Sequence, residues 1–390
     1  MLYVGIDIAS KKHDCCIIGD NSTVLTPVFT FENNAAGFDV LLKSIRAYSR
    51  SVCGVKIGLE ATGHYSTNLV AYLQAKGFSL TVFNPLQVNL FRKAQTLRKT
   101  KTDKVDARCI AQLLMSSEQP AFIPQTTDIS ELKSLVRHRS RMVAMRTRLK
   151  VSVSRLVAIV FPELPGAVSS IHQVTCHALL LELPTAKAIA DCHLTRLTNL
   201  LYERSKHRYG RDKAIEIKSL ASNSIGLHSI ATGFELQQTL RVLSTLYVEI
   251  DALDKLIKAQ MLQINSPILT IPGISFALGS VILSEIGNID NFANPAKLLA
   301  FAGLEPAAYQ SGNFVANQTS MVKRGSKYLR WAILQAALLA SQYDPTFKAY
   351  ATKKLSEGKH HFVVQSHVGR KLIRVIFHLL KSNTHFKSVA

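Results

Sequence analysis

Leu2-Tyr3-Val4-Gly5-Ile6-Asp7-Ile8 and Cys53-Gly54-Val55-Lys56-Ile57-Gly58-Leu59-Glu60 are the two stretches whose reading decides the fold. Each is a short, mostly apolar run, the pattern of a buried strand, and each carries an acid near its end. After the first run, residues 13–19 (HDCCIIG) and 24–31 (VLTPVFTF) follow at hairpin-like spacing. Residues 34–49 then place Phe38, Leu41, Leu42 and Ile45 at helical spacing. Beyond the second run, 64–76 reads as a helix, 79–85 as a strand and 85–117 as helix with a very basic middle. A strand meander followed by strands alternating with helices predicts an α/β domain with a mixed sheet over residues 1–120.

The period changes after that. Residues 128–161 and 232–265 each read as one long amphipathic helix, with 166–230 as an insert that is helical over 172–204. A helical, coiled-coil-like connection over 121–265 follows, with an antiparallel arm, an oligomer seam and an ordinary bundle all open. A mainly helical globular segment is expected over 266–345. It opens on Ile271-Pro272-Gly273-Ile274-Ser275, which resembles a helix-hairpin-helix turn whose backbone N–H groups hold a DNA phosphate. Residues 346–390 are basic and read as a solvated arm for nucleic acid, with His360-His361 in that arm rather than in a metal site.

The chain has 390 residues, of which 47% are hydrophobic, enough to bury more than one core. Its 47 Lys and Arg against 26 Asp and Glu give a net charge of +21. That surplus points to a polyanionic partner. A membrane is not that partner, because no apolar run reaches the roughly 20 residues that span a bilayer. The N-terminus has no basic leader, so the cytoplasm is the expected compartment, among bacterial nucleoid DNA. The six cysteines form no CxxC pair and are expected to be reduced. Cys176-His177 and Cys192-His193 lack zinc-ligand spacing.

Asp7 ends a strand too apolar to hold a carboxylate unless it is paired or binds a cation. Strands lying side by side bring Glu60 to the same sheet edge. Asp103 and Asp106, three apart in Lys101-Thr102-Asp103-Lys104-Val105-Asp106, share one helix face. Carboxylates converging in this way bind hard divalent cations such as Mg²⁺, which activate the attacking oxygen and stabilise the leaving one in phosphoryl transfer. Singly, each acid is as well explained by a cap or an ion pair. Together they favour a ribonuclease H-like metal site. Arg92, Lys93, Arg98, Lys99, Lys101, Lys104 and Arg108 crowd these acids and suit a phosphate backbone.

A second candidate lies in Phe301-Ala302-Gly303-Leu304-Glu305-Pro306 and Tyr309-Gln310-Ser311-Gly312. Ser311 follows a turn and is a candidate nucleophile, although no base adjoins it in sequence. Lys323, Arg324 and Arg330 are placed to neutralise a phosphate.

VGIDIASKKHD, LEATGHY, KTDKVDAR, IPGIS, FAGLEPAAYQSG and KRGSKYLR, in that order, resemble the DEDD transposases of bacterial insertion sequences. That family includes a pilin-gene invertase and the bridge-RNA-guided recombinases. The resemblance covers residues 1–120 and about 265–335. It implies a RuvC-like N-terminal domain whose tetrad falls on Asp7, Glu60, Asp103 and Asp106, with Mg²⁺ as cofactor. It also implies a C-terminal transposase domain whose nucleophile falls on Ser311 and links covalently to DNA. Donor and target DNA, assembly as dimer or tetramer, and in one branch a structured guide RNA complete what it implies. A plain RuvC-like endonuclease or junction resolvase, an invertase, and a non-enzymatic nucleic-acid binder are the competing readings.

Overall fold

The computed structural model describes residues 1–60, 63, 65–95, 103–116, 123, 125–307, 310–311, 314–315 and 320–388, with backbone alone for Asp103, Lys104, Gln310, Ser311, Phe314 and Val315. Arg98, Lys99 and Lys101 lie outside these residues. The chain divides into two units, 1–124 and 125–390.

In the first unit, strands β1 (Leu2–Asp7), β2 (Lys12–Gly19), β3 (Val24–Glu32), β4 (Val55–Glu60) and β5 (Ser79–Phe83) form one sheet in the order β3-β2-β1-β4-β5. β2 runs antiparallel to β1 and β3, while β1, β4 and β5 run parallel. Helices α1 (Ala35–Arg46), α2 (Thr67–Ala75), α3 (Pro85–Gln95) and α4 (Asp103–Ser116) complete the unit. The strand period separates the two faces. Leu2, Val4 and Ile6 of β1 join Ile57 and Leu59 of β4, and Phe38, Leu41, Ile45, Leu69 and Leu73 of α1 and α2, in one core. The alternate residues of the same strands face α4. A Cβ on Gly5 would lie 2.2 Å from the Ala107 carbonyl, and one on Gly58 would lie 3.3 Å from both Ile110 and Leu114. Only glycine lets the helix seat this close to the central strands.

In the second unit, α5 (Thr127–Val160) is followed by α6 (Leu164–Ala167), α7 (Val174–Glu182), α8 (Ala186–Asp191), α9 (Leu194–Arg204), α10 (Arg211–Ser222) and α11 (Ile230–Ile264). α5 and α11 lie antiparallel: Gln260 donates to the Asp128 carbonyl, Arg139 pairs with Asp254, and Arg155 pairs with Glu235. Each end of this helix pair enters a different core. Val153, Leu156 and Val160 meet Leu236, Leu240 and Leu243 within a cap made by α6 to α10. At the opposite end Leu132, Val136, Ile257 and Met261 join α12 (Phe276–Ile286), α13 (Pro295–Ala302), α14 (Lys327–Tyr343), α15 (Pro345–Ser356) and α16 (His361–Ser382). A two-stranded hairpin, β6 (Gln310–Ser311) and β7 (Phe314–Val315), projects between α13 and α14 in sequence.

One expectation changes here. Residues 346–390 are not a solvated arm. Val364, Val368, Leu372, Ile373, Ile376 and Leu379 of α16 are buried, and the basic residues occupy its other face. Gly273 has φ +89°, as a turn glycine should, but a Cβ on it would lie 2.8 Å from the Leu339 backbone. The Cα face of this glycine therefore packs against α14. No helix among the described residues is long and apolar enough to cross a membrane.

Candidate functional site

Asp7 is the last residue of β1 and Glu60 the last of β4. The parallel register pairs Ile6 with Leu59, so the two acids end neighbouring strands. Each lies two residues beyond a glycine on which α4 sits, Gly5 for Asp7 and Gly58 for Glu60. The pleat therefore turns both toward the face that carries α4. On α4, Asp106 immediately precedes Ala107, the residue in contact with Gly5. Asp103 lies one turn earlier on the same helix, and only its backbone is described.

Asp106 is buried at 7% exposure and is neutralised by Arg92 of α3. Arg92 Nη1 donates to both carboxylate oxygens at 2.8 and 3.2 Å, and its Nη2 donates to Asn89 Oδ1 at 3.0 Å. The Cys109 thiol, one turn along α4, is pushed up to about 11, by burial first and then by the charges of Asp106 and Glu60, against the opposing charge of Arg92. Asp14 stands opposite Asp7 in the β1–β2 register and accepts from Thr30 Oγ1. The backbone after Asp7 is held by Ala9 N–H donating to His13 Nδ1 at 3.3 Å, with His13 buried against Phe31.

The donor set is carboxylate oxygen throughout, the chemistry a hard divalent cation takes. Among the described residues no three His, Cys, Asp or Glu side chains are grouped closely enough to hold a metal by themselves. Asp106 is engaged by Arg92, and the Asp103 side chain is outside that set. The residues suit a divalent cation by type, and Arg92 is the present counter-charge of Asp106.

In the second unit Ser311 ends the first arm of the β6–β7 hairpin, and its side chain is not described. Its neighbours Tyr309 and Gly312 lie outside the described residues. The base of the hairpin is a short antiparallel ribbon. Val322 N–H donates to the Glu305 carbonyl at 3.0 Å, Ala307 N–H to the Ser320 carbonyl at 2.9 Å, and Pro306 bridges Met321. Lys323 and Arg324 are exposed, whereas Arg330 is half-buried with Nη1 on the Lys323 carbonyl at 2.9 Å. Arg108 of α4 is exposed.

Sequence reasoning passed over a group beneath this ribbon. Glu285 of α12 is 1% exposed. Arg137 grips it at both oxygens, Nε to Oε1 at 2.7 Å and Nη2 to Oε2 at 3.0 Å, and Ser326 Oγ donates to Oε2 at 2.7 Å. Burial alone raises the acid's pKa, but these hydrogen bonds and the charges of Arg137 and Lys133 outweigh it and hold Glu285 below the usual carboxylate range. The signal available was a lone acid inside the apolar run Val281-Ile282-Leu283-Ser284-Glu285-Ile286, which needs a partner the sequence does not name.

Both parts of the chain match transposases. Residues 4–162 match the DEDD domain of the IS110 group, described as Transposase, and residues 265–352 match the Transposase IS116/IS110/IS902 family. The chain is 24% identical over 390 residues to the pilin gene-inverting protein of Moraxella bovis, covering 98% of this chain and 97% of that one. It is 25% identical over 395 residues to the insertion element IS900 uncharacterized 42 kDa protein of Mycobacterium paratuberculosis, covering 98% and 96%. The chain belongs to the IS110 family of transposases, enzymes that cut and rejoin DNA.

Proposed function

We propose that this chain is the recombinase of a mobile element, joining DNA strands through a covalent bond to Ser311 and holding Mg²⁺ on Asp7, Glu60, Asp103 and Asp106. The observation that carries the acidic half is the placement of Asp7 and Glu60 on adjacent parallel strand ends, two residues beyond the glycines on which α4 rests. That arrangement supports a ribonuclease H-like, RuvC-like reading of the first unit. A bound Mg²⁺ would polarise a phosphodiester and stabilise charge on its oxygens.

In the serine half, the Ser311 oxygen attacks the DNA phosphorus and an Oγ–P bond forms. The bond from phosphorus to the leaving sugar oxygen breaks, the serine proton is lost, and the sugar oxygen leaves as a hydroxyl after taking up a proton. The hydroxyl of a second strand then attacks the phosphoserine, which rejoins the DNA and restores the serine. The bond energy is conserved, so rejoining needs no other cofactor. Lys323 and Arg324, exposed beside the ribbon, and Arg108 on α4 supply phosphate contacts. Arg98, Lys99, Lys101 and Lys104 are further proposed phosphate contacts of the first unit, and Arg330 of the second. DNA is the substrate, and homo-oligomeric assembly and a structured guide RNA are the further parts of this reading, supported by the family resemblance and the net charge of +21.

The test is strand cleavage with Mg²⁺ by Asp7→Asn, Glu60→Gln and Asp106→Asn. Each is expected to lose about a hundredfold or more of the cleavage rate while DNA binding stays intact. Cleavage at the parent rate in all three would remove the acidic site from the reaction.

A further inference from the structure

Burying a carboxylate costs free energy that its ion pair and hydrogen bonds must offset. What Glu285 holds is Ser326, and Ser326 closes the loop on which the Ser311 ribbon stands. Three separate interactions meet on Ser326. Its Oγ donates to Glu285, the same oxygen accepts from Leu329 N–H at 3.1 Å as the N-cap of α14, and its own N–H donates to the Phe301 carbonyl at 2.8 Å. The loop before it has no slack. Lys323 and Gly325 have φ of +54° and +88°. A Cβ on Gly325 would lie 2.0 Å from the Phe301 carbonyl, and one on Gly303 2.2 Å from the Arg324 carbonyl. Residues 301, 303 and 323–326 are thus pressed together, and the adjoining 305–307 and 320–322 backbones pair and flank in sequence the β6–β7 pair that bears Ser311.

We infer that Glu285, clamped by Arg137, acts through the Ser326 hydroxyl to set the position of the Ser311 hairpin. Glu285, Arg137 and Ser326 are positioning residues that need not touch DNA. Arg137 is itself braced, with its guanidinium 5.3 Å from the centre of the ring of Tyr328, the second residue of α14. Ser311 lies on a hairpin only two residue pairs long, so its placement depends on how firmly the flanking ribbon is held. A small displacement at a reacting atom lowers the rate far more than it lowers binding. The inference rests on the reading of Ser311 as nucleophile.

The experiment measures single-turnover formation of the covalent protein–DNA adduct at saturating DNA, together with the DNA dissociation constant and melting temperature, on the full chain. The variants are Ser326→Ala, Ser326→Cys, Ser326→Thr, Glu285→Gln and Ser311→Ala. Ser326→Cys keeps the shape with a weak donor, so it decides the question should the alanine or glutamine variant not fold. Ser326→Ala, Ser326→Cys and Glu285→Gln are expected to slow the adduct about tenfold or more with the dissociation constant within about twofold, and Ser326→Thr, which keeps donor and cap, to stay within about threefold of the parent. A purely structural role would lower the melting temperature and leave the rate per folded molecule unchanged, which overturns the inference. Threonine as slow as cysteine also overturns it. Ser311→Ala separates the two claims. Loss of the adduct there, with unaffected Ser326 variants, sinks the positioning role alone, whereas an adduct persisting in Ser311→Ala sinks the nucleophile reading.

Discussion

At the scale of single residues, one step along β1 separates packing from chemistry. Val4 and Ile6 point into the core with α1 and α2, while Gly5 and Asp7 face α4. The acids were legible in LYVGIDI and VKIGLE, because an acid closing an apolar strand has few uses, whereas the role of the two glycines appears only with α4 in place. A basic partner for Asp106 was open to the reading, but which cation pairs with which acid was not legible. Arg92 reaches Asp106 across 14 residues and Arg137 reaches Glu285 across 148, and no local pattern encodes such pairs. A buried histidine gives a prediction at this scale. His177, 8% exposed, is driven down to about 4 by burial, then by His172 and Lys150. The fold holds it neutral, whereas the unfolded chain protonates it near its ordinary value of 6.5. Its contribution is therefore complete above pH 6.5 and is lost as the pH falls toward 4. Urea titrations at pH 7 and pH 5 should differ by an amount on the order of 2 kcal/mol through this residue, and His177→Gln should flatten that difference. An identical pH response in the variant would contradict it.

At the scale of elements, the long helices were the easiest to read. The 3.6-residue period of 128–161 and 232–265 emerges as α5 and α11 within two residues at each end. Their antiparallel register was not in the period. It is seen in the Arg139–Asp254 and Arg155–Glu235 pairs, which are partly exposed and worth under about 1 kcal/mol each, so apolar contacts at the two ends hold the pair together. The C-terminal segment was misread because its charge dominated. His360, Arg370, Lys371, Arg374 and Lys381 suggest a solvated arm, yet Val364, Val368, Leu372, Ile376 and Leu379 recur at fours and threes between them. Six apolar side chains of α16 are buried, at about 1.5 kcal/mol or more apiece, a sum comparable with the whole stability of a domain. Ending the chain after His360 should therefore abolish cooperative melting of the second unit, as followed by circular dichroism. A solvated arm predicts an unchanged transition.

At the scale of the molecule, the net charge of +21 has to be used against something, and phosphate is the partner the family supplies. Neutralising six or more phosphates makes DNA affinity fall about a thousandfold between 50 and 200 mM salt. Fluorescence anisotropy with a duplex of arbitrary sequence measures that slope, and a flat response would rule out phosphate-dominated binding. Charge and the order of six short motifs were enough to indicate a DNA recombinase. The link between Ser326 and the base of the serine hairpin emerged only once distant segments were placed together.

The covalent step is tested most directly by mapping the bond. The purified chain is incubated with Mg²⁺ and plasmid DNA carrying the gene's own flanks, digested with nuclease and trypsin, and analysed by mass spectrometry. A nucleotide attached at Ser311, on the tryptic peptide spanning residues 298–323, is the predicted result. Cleaved DNA with no nucleotide on the protein, or a nucleotide carried by any other residue, would contradict it.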